Sequence, residues 1–163
     1  MNNERMKNEE LPKGWIATTI GNIFEFEYGK SLTKTKRNEN GNFPVYGSNG
    51  IVGYHTEFLI KAPALIIGRK GAAGEISYSD KNCWPIDTTY FINDLNHLNI
   101  KFVFYVLKSL MLTQYDRSTA IPGLNRNDAY GISFNLPPLP EQHYIVEKIE
   151  ELFSELDNGV ESL

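Results

Sequence analysis

The sequence predicts an α+β protein: a compact body on a mixed, largely antiparallel β-sheet with short helices, followed by one C-terminal helix. Three observations predict it. Between Phe43 and Ile92, short apolar runs alternate with glycine, proline and asparagine, the punctuation of strands and tight turns. From Asn99 to Gln114, the residues Phe102, Val103, Val106, Leu107, Leu110 and Met111 recur at helical period. After a proline-rich corner, Ile145, Ile149, Leu152 and Leu156 follow at spacings of 4, 3 and 4, a heptad-like seam.

Taken in order, Met1 to Glu10 reads as a polar, flexible tail, and Leu11-Pro12-Lys13-Gly14-Trp15 as an entry segment that Trp15 pins to the body. Thr18 or Thr19 is a candidate cap for a short helix carrying Ile20, Ile23 and Phe24 on one face and ending at Gly29. Residues 30–42 form a polar loop with Lys30, Lys34, Lys36 and Arg37. Phe43-Pro44-Val45-Tyr46 and Ile51-Val52-Gly53-Tyr54 flank Asn49-Gly50, a two-residue hairpin signal. Ala64-Leu65-Ile66-Ile67 is apolar throughout, as in a strand buried on both faces. Residues 68–74 turn back into Glu75-Ile76-Ser77-Tyr78-Ser79, and the stretches 83–86 and 88–92 add strands. The helix over 99–114 packs across this sheet.

The stretch 118–142 organises the rest. It reads as a polar loop, a short apolar strand at Ile132–Leu136, a corner stiffened by Pro137, Pro138 and Pro140, and the first turn of a helix. Pro140 suits the first helical position and Gln142 sits where a side chain reaches back. The organisation is therefore a tail at 1–10, a body at 11–139 and a helix at 140–163.

Length and composition fit one ordered domain: 163 residues, 41% hydrophobic and 12% aromatic, with no apolar run near the ~20 residues that span a bilayer. No hydrophobic export signal is expected, and the single Cys83 agrees with a reducing cytoplasm. The net charge of -4 conceals an asymmetry. After Leu139 there are seven acids against Lys148, whereas residues 11–139 hold thirteen basic and ten acidic side chains. A weakly basic body with an acidic handle is compatible with nucleic-acid binding.

Catalytic readings fail on residue type and spacing. Residues 68–74 (Gly-Arg-Lys-Gly-Ala-Ala-Gly) lack the Gly-Lys-Ser/Thr of a phosphate loop and run into a strand. Asn135-Leu136-Pro137-Pro138 departs from the Asp/Asn-Pro-Pro-aromatic signature of amino-methyltransferases. Glu75, Asp80 and Asp87 are too scattered to hold Mg²⁺, and His55, His97 and His143 have no metal spacing. The expectation is a non-enzyme that binds no metal and no cofactor of its own.

A reader of duplex DNA needs cations for phosphates and paired donors for base edges. Three groups are candidates: Lys34, Lys36 and Arg37 for phosphates; Ser48 and Asn49 with Arg69 and Lys70 at two hairpin tips for base edges; and Arg117, Asn125 and Arg126 beside the organising stretch. Structural uses compete at each. Asn49 can serve only its turn, Arg69 can pair with Glu75, and Asn125 can cap a turn. On the terminal helix, Ile145, Ile149, Leu152 and Leu156 form a candidate interface with a partner helix.

The sequence also resembles a family: one target-recognition domain of the specificity subunit of type I restriction-modification systems. The matching pieces are Leu11-Pro12-Lys13-Gly14-Trp15, residues 44–50 (Pro-Val-Tyr-Gly-Ser-Asn-Gly), Ile67-Gly68-Arg69-Lys70-Gly71 with Gly74, Trp84 followed by residues 87–91 (Asp-Thr-Thr-Tyr-Phe), and residues 120–124 (Ala-Ile-Pro-Gly-Leu) leading to residues 136–142. The resemblance implies a non-catalytic module that reads one half of a split DNA target, its terminal helix beginning a spacer coiled coil. It implies methylation and restriction subunits as partners, carrying S-adenosylmethionine, ATP and Mg²⁺. It further implies a second recognition domain, or another copy of this one, and no membrane. The competing expectation is a helix-mediated scaffold or dimerisation module that does not touch DNA.

Overall fold

The structure, a computed structural model, describes residues 10–95, 97–116 and 123–161. The described chain begins with β1 (Ile16–Thr19), α1 (Ile20–Ile23) and β2 (Glu27–Tyr28), then a 3-10 turn at Lys34–Lys36. Six strands follow: β3 (Phe43–Gly47), β4 (Gly50–His55), β5 (Ala64–Gly68), β6 (Ile76–Ser79), β7 (Trp84–Pro85) and β8 (Thr89–Ile92). The remainder is α2 (Ile100–Ser109), a 3-10 turn at Leu112–Tyr115, α3 (Arg126–Tyr130), β9 (Ser133–Leu136) and α4 (Leu139–Glu161).

The fold is α+β and its pairing is almost entirely antiparallel, as expected, but the described strands divide among three small sheets. Their orders are β1-β9, β2-β8-β5-β6 and β4-β3-β7, the last containing the parallel pair β3-β7. β5 explains its own continuous apolarity. Leu65 and Ile67 join the large cluster with Phe102, Val103 and Leu107 of α2, while Ala64 and Ile66 join a second cluster with Tyr46, Ile60, Cys83 and Phe91. Successive side chains on a strand face opposite ways, so both faces of β5 lie in apolar surroundings. Cys83 is fully buried, and that desolvation pushes its thiol up from 9.0 to about 11.

Two helix boundaries differ from expectation. α1 ends at Ile23, not Gly29, because Phe26 turns into the core and Glu27–Tyr28 pairs with β8. Gly29 instead lies against the Ile86 carbonyl, where a Cβ has no room. α2 stops at Ser109, and Met111 takes a left-handed conformation (φ 51°) with 63% of its surface exposed. The break carries Leu112 into the core, at 1% exposure, beneath Gly74 (φ 83°), whose Cα packs on the Leu112 backbone.

Entry and exit are tied together. β1 pairs with β9 in register Ile16↔Leu136 to Thr19↔Ser133. Trp15 does pin the entry segment: its Nε1 donates to Glu141 in the first turn of α4 at 2.6 Å. The proline corner is locked from inside by Gln142, which is 1% exposed. Its Oε1 accepts from the Asn99 backbone at 2.9 Å, and its Nε2 donates to the Pro137 carbonyl at 3.0 Å. Asn99 in turn caps α2 by accepting from the backbone N–H groups of Lys101 and Phe102. α4 therefore leaves the body at an angle set by α2, with Val146 buried and Lys101–Glu150 closing the contact at 2.6 Å.

Candidate nucleic-acid interface

Two separate loops build a cleft. At the end of β5, the backbone N–H groups of Arg69 and Lys70 both donate to the Thr88 carbonyl, at 2.9 and 3.1 Å. The Arg69 carbonyl then accepts from Leu124, 2.8 Å away, and Lys70 bridges to Gly123. This brings residues 123–127 beside the β5–β6 loop, across more than 50 positions of sequence. Asn125 caps α3, accepting from Asn127 N–H at 2.8 Å, and so fixes Arg126 in the first turn. The capping role weighed for Asn125 is thus its observed one.

Both arginines are held. The Arg69 Nε donates to the Asp87 carbonyl at 3.1 Å, and its Nη2 donates to the same oxygen. That carbonyl takes the place of the Glu75 pairing weighed from sequence. The Arg126 Nη1 donates to the Phe26 carbonyl at 2.9 Å. Both reach the Tyr28 ring, with the Arg69 guanidinium 5.4 Å and the Arg126 guanidinium 4.7 Å from its centroid. Arg69 also lies 6.0 Å from the Tyr90 ring, whose hydroxyl donates to the Leu124 carbonyl at 2.9 Å in a buried bond. Burial first, and the neighbouring Tyr28 second, raise the Tyr90 hydroxyl above its ordinary value, against the lowering effect of Arg69.

The resulting open cleft has a volume of about 580 Å³ and is lined by Tyr28, Tyr90, Arg69, Lys70, Arg126 and residues 123–125 and 127. Among the described residues, three cations and no carboxylate line it. Such a wall carries a standing positive potential that suits a polyanion. Ser48 and Asn49 occupy the β3–β4 tip beside the same loop, the Ser48 Oγ accepting from Ala72 N–H at 3.4 Å. Of the candidate groups, Arg69, Lys70, Asn125 and Arg126 come together, whereas Ser48, which touches the β5–β6 loop at Ala72, and Asn49 do not line the cleft.

Lys34, Lys36 and Arg37 lie elsewhere, over the β3–β4 sheet, and do not line the cleft. Arg37 donates to the carbonyls of Leu32 and Val52, at 3.3 and 3.1 Å. With Glu39 accepting from Tyr54 N–H and His55 Nδ1 accepting from Asn38 N–H, it closes the open edge of β4. Lys34 and Lys36 stay exposed. Arg117, with residues 118–122 of the organising stretch, lies outside the described residues. The helix seam divides. Ile145 packs partly on the large core cluster and Ile149 is half-buried, whereas Leu152 and Leu156 are 58% and 64% exposed, next to exposed Phe153 and Val160.

Sequence reasoning missed Tyr28, Tyr90 and Asn127. The alternation in Glu25-Phe26-Glu27-Tyr28 was a usable signal for a strand presenting Tyr28. Among the described residues no group of three or more His, Cys, Asp or Glu is placed to hold a metal, and no helix is long and apolar enough to cross a membrane.

The fold is that of specificity subunits of type I restriction-modification systems. It superposes on the S subunit from M. genitalium with a TM-score of 0.76 at 22% identity, over 92% of this chain and 42% of that one. The HsdS subunit from Thermoanaerobacter tengcongensis gives 0.70 at 16% identity, over 93% and 40%. Residues 12–162 match the type I restriction modification DNA specificity domain, and the chain belongs to this family, whose members are non-catalytic specificity components. Among curated relatives, the EcoprrI specificity subunit of Escherichia coli is 26% identical over 147 residues, 87% of this chain and 36% of the relative. The EcoDI specificity subunit of Escherichia coli is 23% identical over 156 residues, 94% and 34%. The chain thus spans about a third of the length of these relatives.

Proposed function

We propose that this chain binds double-stranded DNA and reads one half of a bipartite target, directing methylation and restriction subunits to it in the cytoplasm. Residues 11–139 are the recognition body, and residues 140–163 begin a spacer helix that joins it to a second recognition domain or another copy. S-adenosylmethionine, ATP and Mg²⁺ belong to the partner subunits. The observation that carries the reading is the cleft of Arg69, Lys70 and Arg126, with no acid among the described residues that line it, mounted on loops at the end of an interior strand. Cations on fixed loops give register on phosphates, and forked donors give base readout.

A shift assay on the whole chain with pooled duplex fragments tests this. Binding is expected to be weak, since linkage to a second domain supplies effective concentration. It should fall with salt, and the slope should drop by about one unit for each phosphate contact removed. A chain carrying Arg69→Ala, Lys70→Ala and Arg126→Ala that still binds like the parent overturns the reading. The scaffold alternative draws on the exposed Leu152, Phe153, Leu156 and Val160 of α4. It becomes the better account if self-association persists while no duplex is bound.

A further inference from the structure

The cleft holds its cations in two different ways. Arg69 is fixed in plane and in direction: Nε and Nη2 converge on one carbonyl oxygen while the guanidinium rests on two tyrosine rings. The carbonyl is itself immobile. Asp87 lies in a turn where Thr89 N–H and Oγ1 both bond the Ile86 carbonyl, at 3.0 and 2.7 Å, and where Thr88 anchors the Arg69 backbone. An arginine has five N–H donors in a rigid fork, and the Nε–Nη2 edge is spent on Asp87. The remaining Nη1–Nη2 edge offers two parallel donors. Lys70 is exposed, a point charge on a flexible stem. Arg126 is held by one donor, Nη1 on the Phe26 carbonyl, and by its contact with the Tyr28 ring.

A phosphate accepts charge from many directions, and a swinging side chain serves it well. A base edge accepts two donors at one spacing and one angle. Fixing an arginine from two sides therefore serves base readout. The pair of acceptors in the major groove that matches two parallel donors is O6 and N7 of guanine. We propose that Arg69 reads a guanine through its Nη1–Nη2 edge, with Tyr28 as the positioning residue that holds it, and with Lys70 and Arg126 on the flanking backbone. This rests on the DNA-reading function above and assigns it a base and a reader. Tyr28 touches no DNA in this scheme. It supplies an aromatic ring that attracts both guanidinium groups.

The experiment is selection of the whole chain on a randomised duplex library at low salt, followed by titration of the enriched duplex. Wild type is expected to enrich a motif containing a fixed G·C pair. Arg69→Ala should lose preference at that one pair, by about ten- to hundredfold. Arg69→Lys should lose it equally while leaving the salt slope unchanged, because charge remains and the fork does not. Lys70→Ala and Arg126→Ala should weaken all sequences alike. Tyr28→Phe should keep the motif and Tyr28→Leu should relax it at the same pair. Replacing that guanine by 7-deazaguanine, which lacks the N7 acceptor, should weaken wild type and leave Arg69→Ala unaffected. Tyr28 is 53% exposed, so these variants are expected to fold, with circular dichroism as the check. If Arg69→Ala weakens every sequence equally, or Arg69→Lys keeps the motif, Arg69 is a phosphate contact and the inference is wrong while DNA reading stands. If wild type enriches nothing, the reading beneath it fails and takes the inference with it.

Discussion

Gln142→Ala probes the joint between body and helix. The buried amide holds two backbone groups from different elements, the Asn99 N–H of α2 and the Pro137 carbonyl of the corner, at 2.9 and 3.0 Å. Alanine leaves both without their partner. The bond to Pro137 is buried, so that carbonyl loses about 1–3 kcal/mol of compensation for its desolvation. The Asn99 bond is partly buried, so that N–H recovers some hydration and loses less. The space vacated by four heavy atoms adds a cavity term. Together these give about 2–4 kcal/mol, which for a chain of 163 residues lowers Tm by roughly 4–16 °C. Thermal and urea unfolding of the whole chain, followed by circular dichroism, measure it. Gln142→Met separates the two terms, since it refills the volume and restores neither bond; it should recover only the cavity part. A Gln142→Ala chain within about 0.5 kcal/mol of wild type, the range of ordinary surface changes, would refute the claim that this side chain sets the corner.

Three further outcomes are expected. Cys83 has its thiol raised from 9.0 to about 11 by burial, so the folded state binds this proton more tightly than the unfolded state. Its contribution is full below pH 9 and fades as pH climbs toward 11, by about 2–3 kcal/mol. Urea titrations across that window should show a shallower fall for Cys83→Ala than for wild type. Leu152→Lys with Leu156→Lys should leave unfolding unchanged within about 0.5 kcal/mol, because both side chains are exposed, yet abolish self-association in sedimentation if α4 is the joint. Gly68→Ala should destabilise by about 1–3 kcal/mol in the same unfolding assay, since its Cβ would overlap the Ala72 carbonyl, and should disturb the neighbouring Arg69.

The sequence by itself determined the local elements. Ala64-Leu65-Ile66-Ile67 announced a strand buried on both faces, Asn49-Gly50 a hairpin, and Pro137 to Gln142 a stiff corner opening a helix, because period, turn chemistry and fixed proline φ act over a few residues. It also marked the residues that fill the cleft, Arg69 with Lys70 and Asn125 with Arg126, as polar groups on short loops. Tertiary structure alone decided that those pairs meet, that Arg37 is spent on the edge of β4, and that Ile145 belongs to the body and Leu152 to solvent. It also decided the place of Tyr28, through a two-residue strand whose partner β8 lies some sixty positions on. A pairing that short carries too little local signal to stand alone; it exists because β8 is already held by β5, and only then do two distant arginines meet on one ring.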